Sequence, residues 1–181
     1  MKTIDKYLFQ ALDNYPYSLE ETIESLDYAF SYDSKNTMVL CLYGRIQAEQ
    51  LMNYEEAKTY FQEALAINIY ALEVYPYYLQ TLILNEDYEE AHKLIEFALT
   101  IKGINKSEIY VKKALLFEAQ QKFQDALKEI KYAKLYSVQH DYDSGISEFE
   151  KRIKGKMDVL KDKKKPQKKA KKTEKKSNKN K

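Results

Sequence analysis

The sequence is poor in the residues that punctuate β structure and that cross-link small secreted domains. Only four of its 181 residues are Gly and three are Pro, whereas a β-sandwich or barrel needs Gly, Asn or Asp at many tight turns. The single cysteine, Cys41, has no second cysteine with which to form an internal disulfide or a CxxC pair. These scarcities exclude a turn-rich all-β fold, a disulfide scaffold and a zinc finger.

Long apolar runs are also missing. No stretch approaches the ~18 uncharged apolar residues that a membrane-spanning helix requires, and the charged residues of the first ten positions are not followed by an apolar run. We therefore expect no signal peptide and no membrane span, and we predict a cytoplasmic protein. With 44% hydrophobic and 13% aromatic residues, the chain has enough apolar surface to bury a core.

The net charge of +2 conceals a segregation of charge along the chain. Residues 161–181 contain twelve lysines and two acidic residues, a net charge of +10, and residues 1–160 carry a net charge of −8. All seventeen tyrosines lie at or before Tyr142, so the C-terminal segment has no aromatic residue. This composition predicts a domain boundary near residue 160, followed by a disordered basic tail.

A motif recurs every 34 to 35 residues. It consists of an aromatic or apolar residue, two polar and mostly acidic residues and a small residue, then a large apolar residue four positions later and an alanine three after that. The clear copies are 54–57 with Phe61 and Ala64, 88–91 with Ile95 and Ala98, and 123–126 with Ile130 and Ala133, and a weaker copy is 19–22 with Leu26 and Ala29.

The spacing of the motif is that of one helical face. Offsets of four and seven residues place the three positions together, and the two alanine-sized positions allow another helix to approach closely. The acidic pair falls in the first turn, where the helix dipole favours negative charge. Ser18 with Glu21, and Asn53 with Glu56, predict side-chain caps at two helix starts.

The residues before each motif resemble the first helix of a tetratricopeptide repeat (TPR). In the fourth copy an aromatic, a small and an aromatic residue, Tyr110, Ala114 and Phe117, stand sixteen, twelve and nine positions before Ala126. The third copy has Tyr75, Leu79 and Leu82 at these offsets. In the second copy, Gly44 lies thirteen positions before Ala57, so the register of this first helix is ambiguous by one residue. The first copy fits the pattern poorly. The Pro that closes each repeat of the family is missing from all four copies.

The resemblance implies an all-α, TPR-like solenoid of about four repeats spanning 3–139, with repeats at about 3–36, 38–71, 72–105 and 107–139. A generic α-hairpin solenoid is the fallback. Such an array needs polar-faced ends, and residues 141–160 supply an amphipathic capping helix, nine helices in all. Its apolar stripe is Ile146, Phe149, Ile153, Met157 and Leu160. Pro16 is expected in a turn, and Pro76 in the first turn of a helix that begins near Tyr75.

Residues that could perform chemistry are few and scattered. The two histidines, His92 and His140, are far apart, and Cys41 has the surroundings of a core residue rather than of a nucleophile. The glycines are too dispersed for a phosphate-binding loop, and residues 141–148 lack the Gly and Glu that a calcium loop needs. We expect no enzymatic activity, no cofactor and no metal.

The resemblance also implies a binding surface, because the first helices of TPR arrays line a concave groove. The matching positions are apolar and rich in tyrosine, and Tyr is a common interface anchor. Alternatively, many of the seventeen tyrosines merely fill the core. The expected partner contacts are Tyr7, Leu8, Leu42, Tyr43, Ile46, Tyr77, Gln80, Ile83 and Lys112, with Ala11 and Leu115 at further groove positions. Since Lys112 is the only one of them typical of a heat-shock carboxylate clamp, such a clamp is not expected.

The primary hypothesis is a scaffold or adaptor that binds a peptide, helix or subunit in this groove. The alternative is a nucleic-acid- or ribosome-associated protein, held nonspecifically by the tail through Lys163, Lys164, Lys165, Lys168, Lys169, Lys171 and Lys172. Alternatively, the tail only keeps the chain soluble, or it lies on an anionic membrane surface. Because the tail has no aromatic residue, it does not support stacking on the bases of a single strand. Self-association through the groove is a further possibility.

Overall fold

The structure is a computed structural model that describes residues 6–137 and 144–161. Within these ranges it contains nine helices and no strand, which confirms the all-α prediction. The helices are α1 (Lys6–Asn14), α2 (Leu19–Tyr32), α3 (Thr37–Arg45), α4 (Tyr54–Ile67), α5 (Val74–Leu84), α6 (Tyr88–Ala98), α7 (Lys106–Ala119), α8 (Phe123–Tyr136) and α9 (144–161).

The chain forms two compact units, Met1–Asn105 and Lys106–Lys181. In the first unit each helix from α1 to α6 packs against the next, and α3 also packs against α5. In the second unit α7 and α8 form an antiparallel-type hairpin with extensive mutual packing. Hairpins whose helices contact their sequence neighbours are the building blocks of solenoid proteins.

The small residues of the repeated motif lie at the helix contacts, as predicted. Ala57, Ala91 and Ala126 have no exposed surface, and the equivalent residue of the first copy, Thr22, is also fully buried. A residue without a long side chain lets two helix axes approach, so the large apolar residue four positions later can fill the adjoining groove. In the first unit that large residue is Leu26, Phe61 or Ile95, each fully buried.

The ambiguous register of the second repeat has a structural cause. Helix α3 continues directly into a π-helical segment, Ile46–Gln50, in which the Leu51 N–H donates to the carbonyl of Ile46 at 3.2 Å. A π-helical turn accommodates one residue more than an α-helical turn. The extra residue explains why Gly44 lies thirteen rather than twelve positions before Ala57 and still occupies the small-residue contact.

The helix starts confirm two of the sequence predictions and correct a third. The side chain of Asn53 accepts a hydrogen bond from the N–H of Glu56 at 3.4 Å, as expected, and Pro76 is the third residue of α5. The predicted capping box at Ser18 is wrong, because its side chain makes no capping bond. Instead, the hydroxyl of Thr22 donates a hydrogen bond to the backbone carbonyl of Ser18 at 2.7 Å. The side chain that bonds at this helix start is therefore that of Thr22.

The turns that join the two helices of a pair share an unusual backbone conformation. Met52, Glu86 and Gln121 have φ values of 55°, 63° and 59°, and they recur at the spacing of the repeat. This left-handed region favours glycine, because a Cβ crowds the following carbonyl oxygen. The scarcity of glycine in this chain therefore leaves three non-glycine residues where a glycine would fit better.

In the second unit, α9 covers the hairpin formed by α7 and α8. Ile146, Phe149 and Ile153 are buried in one cluster with residues of that hairpin, and Met157 packs against its edge. Leu160, the last residue of the predicted apolar stripe, is 39% exposed. The amphipathic stripe thus predicts the capping helix correctly up to its last turn.

Ion pairs fasten α9 along its polar edge. The guanidinium of Arg152 donates two hydrogen bonds to the carboxylate of Glu118, at 3.1 and 2.7 Å, and the ammonium of Lys156 donates to the same carboxylate at 2.7 Å. Lys134 of α8 donates to Glu150 at 2.6 Å. These pairs join α9 to both helices of the hairpin, in addition to its apolar contacts.

Candidate functional site in the first unit

The candidate site is centred on Arg45, the last residue of α3. Its guanidinium carbon lies 4.6 Å from the ring centroid of Tyr15 and 4.2 Å from that of Tyr77. Tyr15 stands in the turn after α1 and Tyr77 on α5, so three consecutive hairpins contribute. A planar guanidinium gains both cation–π and stacking energy from such rings.

Glu49, from the π-helical segment, completes the site. Its carboxylate oxygen lies 3.4 Å from Nε of Arg45, and it accepts a hydrogen bond from the hydroxyl of Tyr15. We call the four residues Tyr15, Arg45, Glu49 and Tyr77 the arginine site. Because Glu49 is bound by both a cation and a hydroxyl, the positions of Tyr15 and Arg45 are fixed relative to each other.

Burial sets the protonation of these groups. Burial, reinforced by the hydrogen bond to Glu49, raises the pKa of Tyr15 to about 12, so its hydroxyl keeps its proton. Burial by itself would lower the pKa of Arg45, but Glu49 and Tyr77 outweigh it and raise the value. The guanidinium of Arg45 therefore stays charged, and its side chain keeps 21% of its surface exposed.

The structure corrects which residues of the second repeat are accessible. Leu42 and Ile46, expected as partner contacts, are 1% and 2% exposed and belong to the core. Tyr43 packs against second-helix residues, with its ring 5.8 Å from Phe30 and 5.3 Å from Tyr60. The hydroxyl of Tyr43 donates to a carboxylate, that of Asp27. These three side chains are thus occupied with packing inside the first unit.

The first repeat shows the same pattern. Leu8 and the neighbouring groove position Ala11 are buried in the core cluster. The ring of Tyr7 lies 5.2 Å from that of Tyr28 on α2, and 40% of Tyr7 remains exposed. Only Tyr7 of this predicted set therefore offers surface to a partner.

In the third repeat the predicted set divides. Ile83 is 7% exposed and belongs to the core, Gln80 is half-buried, and Tyr77 forms one wall of the arginine site. The structure therefore brings one predicted contact, Tyr77, into the site.

Sequence reasoning missed three members of the arginine site. Arg45 and Glu49 were outside the predicted set because the register of the second repeat was ambiguous by one residue, and Tyr15 was outside it because it lies in the turn after α1 rather than on a first helix. Counting forward from Gly44, the small residue that packs on the following helix, places Arg45 next to the contact and Glu49 one turn later. The one-residue irregularity at Gly44 was the available signal.

Lys112 lies in the second unit and lines a separate cavity. The cavity has a volume of about 730 Å³ and lies between α7 and α9. Its lining includes the apolar side chains of Val111, Ile146 and Phe149 and the charged side chains of Glu108 and Arg152. Leu115, the other predicted position of this repeat, packs against the core cluster of the unit.

Groups that could support chemistry are sparse in the residues that the structure describes. Cys41 is 5% exposed, and burial raises the pKa of its thiol to about 12, which confirms it as a core residue. Within residues 6–137 and 144–161, no group of three His, Cys, Asp or Glu side chains is placed to hold a metal ion. His92 is half-buried on α6.

Some of the predictions lie outside the described residues. They concern His140 and the tail lysines Lys163, Lys164, Lys165, Lys168, Lys169, Lys171 and Lys172. For the ranges that are described, none of the helices combines the length and the apolar character needed to cross a bilayer.

Comparison with known proteins supports the fold. No family model matches the chain, and no curated protein matches it in sequence. A solved structure described as "MamA RS-1 ArsTM double mutant" aligns with a TM-score of 0.57 and 13% sequence identity, covering 87% of this chain and 99% of that chain. MamA contains tetratricopeptide repeats. The chain is thus similar in fold to a TPR-containing protein.

Proposed function

We propose that the protein is a protein-interaction scaffold, and that the first unit binds a segment of a partner protein at the arginine site. The observation that supports this most directly is the contact of the Arg45 guanidinium with the rings of both Tyr15 and Tyr77. Arginine and tyrosine are enriched among the residues that dominate binding energy at protein interfaces. The TPR-like fold agrees with such a role.

The site is preorganised, which favours affinity. Long side chains usually lose about 0.5–1.5 kcal/mol each when an interface immobilises them. Arg45 is already held by two rings and Glu49, so a partner that contacts it needs to order fewer groups. The exposed edge of the guanidinium and the half-buried Tyr77 are the surfaces that it would meet.

The proposed contact set is smaller than the sequence-based one. It comprises Arg45, Glu49, Tyr77 and Gln80, which lie on α3, its π-helical extension and α5. The buried residues Leu8, Leu42, Ile46 and Ile83 are proposed to act only through the packing of the helices.

Affinity capture with the full chain tests the proposal. Arg45→Lys keeps the positive charge but loses the planar stacking surface, and Tyr77→Ala removes one wall of the site. Each variant is expected to lose at least tenfold in recovery of the partner bound by wild type, since an interface anchor contributes about 2 kcal/mol or more. Capture should persist at high salt, because the contact is largely aromatic.

Tyr32→Ala serves as the matched control, because Tyr32 is 84% exposed on α2 and lies outside the arginine site. Circular dichroism must show that all variants keep the wild-type helix content. If the same partner is recovered in equal amount with Arg45→Lys, Tyr77→Ala and wild type, the arginine site is not the contact surface.

A further inference from the structure

A second aromatic surface lies on α8, in the second unit. The rings of Tyr132 and Tyr136 lie 5.2 and 5.5 Å from the ring of Tyr110 on α7, at interplanar angles of 24° and 9°. Tyr132 is 49% exposed and Tyr136 41% exposed. Because the rings already stack on a third one, their exposed surfaces are held in nearly fixed orientations.

Lysines on α7 and α8 accompany these rings. The ammonium of Lys106 lies 5.4 Å from the ring centroid of Tyr136. Lys128 and Lys131 are exposed on α8; Lys128 lies four residues before Tyr132 and so on the same side of the helix, and Lys131 directly precedes Tyr132, about 100° round the helix. Lys128 pairs with Asp125 at 2.9 Å. Lys131 has no ion-pair partner among the residues that the structure describes.

We call Lys106, Lys128, Lys131, Tyr132 and Tyr136 the α8 face. Residues 106–160, to which it belongs, contain 11 basic and 9 acidic residues, a net charge of +2, and residues 161–181 add +10. Residues 1–105, with 7 basic and 17 acidic residues, carry −10. Residues 1–105 would therefore repel a polyanion, whereas the α8 face offers it three lysines, Lys106, Lys128 and Lys131.

We infer that the α8 face binds single-stranded nucleic acid, with bases stacked on Tyr132 and Tyr136 and phosphates held by the lysines. Aromatic platforms beside cationic side chains match the alternation of base and phosphate along a single strand. In a duplex the base faces are already stacked on one another, so the tyrosines offer it no such contact. The tail adds charge but no ring, and α8 supplies the aromatic component that the tail lacks.

This inference does not depend on the proposed protein-binding role, because its residues lie in a different unit from the arginine site. It also differs from attraction by the tail alone. A lysine tail binds single strands and duplexes through phosphates, whereas the α8 face distinguishes a strand whose bases are free to stack.

Fluorescence anisotropy with the full chain provides the test. The probes are labelled oligouridylate and oligothymidylate of about 12 nucleotides, within the usual range of site sizes, and a duplex of the same length. Tyr132→Ala and Tyr136→Ala are each expected to weaken single-strand binding about tenfold and to leave duplex binding unchanged. Tyr132→Phe keeps the ring and should keep the affinity. Comparison of the two single-stranded probes shows whether the sugar contributes.

Tyr28→Ala is the matched control, since Tyr28 is 54% exposed and its ring packs against that of Tyr7 in the first unit, with the centroids 5.2 Å apart. Lys131→Ala should flatten the dependence of log affinity on log salt by about 0.7, the contribution of one phosphate contact on a single strand. Several results would overturn the inference: no single-strand binding by wild type, or equal affinity of wild type and both tyrosine variants. The inference would also be overturned if the tyrosine substitutions abolished binding to vesicles of phosphatidylserine and phosphatidylcholine but left binding to the oligonucleotides unchanged.

Discussion

Replacement of Gly44 by alanine tests the helix packing on which the fold of the first unit depends. A methyl group at Gly44 would lie 2.7 Å from Cε1, 2.8 Å from Cζ and 2.9 Å from Cδ1 of Phe61. Carbon atoms in good contact are about 3.5 Å apart, so the ring would have to move by about 0.8 Å. It has little room, because Phe61 is fully buried and its ring stacks on Tyr78 with the centroids 5.6 Å apart.

The magnitude follows from two opposing effects. Overpacking a core costs about 1–3 kcal/mol, and alanine in place of glycine inside a helix contributes about 1 kcal/mol of stabilisation. Since the ring is enclosed, we expect the steric cost to prevail and Gly44→Ala to lower the free energy of unfolding by about 1 kcal/mol. Gly155→Ala provides the comparison, because a methyl group at Gly155 in α9 meets no atom within 4 Å. That substitution should stabilise by up to about 1 kcal/mol.

Urea unfolding followed by circular dichroism gives the two free energies, and hydrogen exchange of α3, α4 and α9 assigns each change to its unit. Phe61→Leu provides a second check: in that background Gly44→Ala should lose most of its cost, because the ring atoms are gone. If Gly44→Ala stabilises the wild-type protein as much as Gly155→Ala does, the proposed contact between α3 and α4 is incorrect.

Two further predictions concern the backbone and pH. Glu86→Gly should stabilise the protein by about 0.5–1 kcal/mol, because glycine relieves the strain of the left-handed conformation at φ 63°. Lys93→Gly, within α6, should instead destabilise it by about 1 kcal/mol. Thermal unfolding measures both changes in stability, and changes of the same sign would contradict the strain argument. Hydrogen bonds from Lys134 and Lys154 lower the pKa of Glu150 to about 2. The stabilisation by Glu150, about 1 kcal/mol at most for a pair near the surface, is therefore present above its unfolded pKa and lost as pH falls towards 2. Glu150→Gln should lack this part of the acid dependence, and identical pH profiles of the two proteins would refute it.

The helical scaffold could be predicted from the sequence because it depends on local periodicity. The alanines at 57, 91 and 126 are buried where the spacing places them, and the apolar stripe after residue 144 covers the last hairpin. In both cases the pattern of apolar residues along a helix defines its buried face, whatever lies opposite.

The details that escaped prediction, some local and some long-range, are ones that the periodic pattern leaves undetermined. Thr22 rather than Ser18 makes the side-chain bond at the start of α2, a choice between two hydroxyls four residues apart. The arginine site combines residues about thirty positions apart, so it appears only once the extra residue of the π-helical segment is placed. A one-residue shift of register rotates a helical side chain by about 100°, which is enough to exchange Ile46 for Arg45 at the surface.

The charges near each site restrict which ligand it can accept. Exposed charges act over a screening length of about 8 Å at physiological salt, so a ligand responds to the unit that it touches rather than to the net charge of +2. An acidic partner segment would be repelled by residues 1–105, and within the arginine site Glu49 already neutralises Arg45. The protein segment bound there is therefore expected to be neutral or basic and to use the aromatic surface, whereas a polyanion belongs on the α8 face. Capture of a strongly acidic protein through Arg45 and Tyr77 would contradict this division.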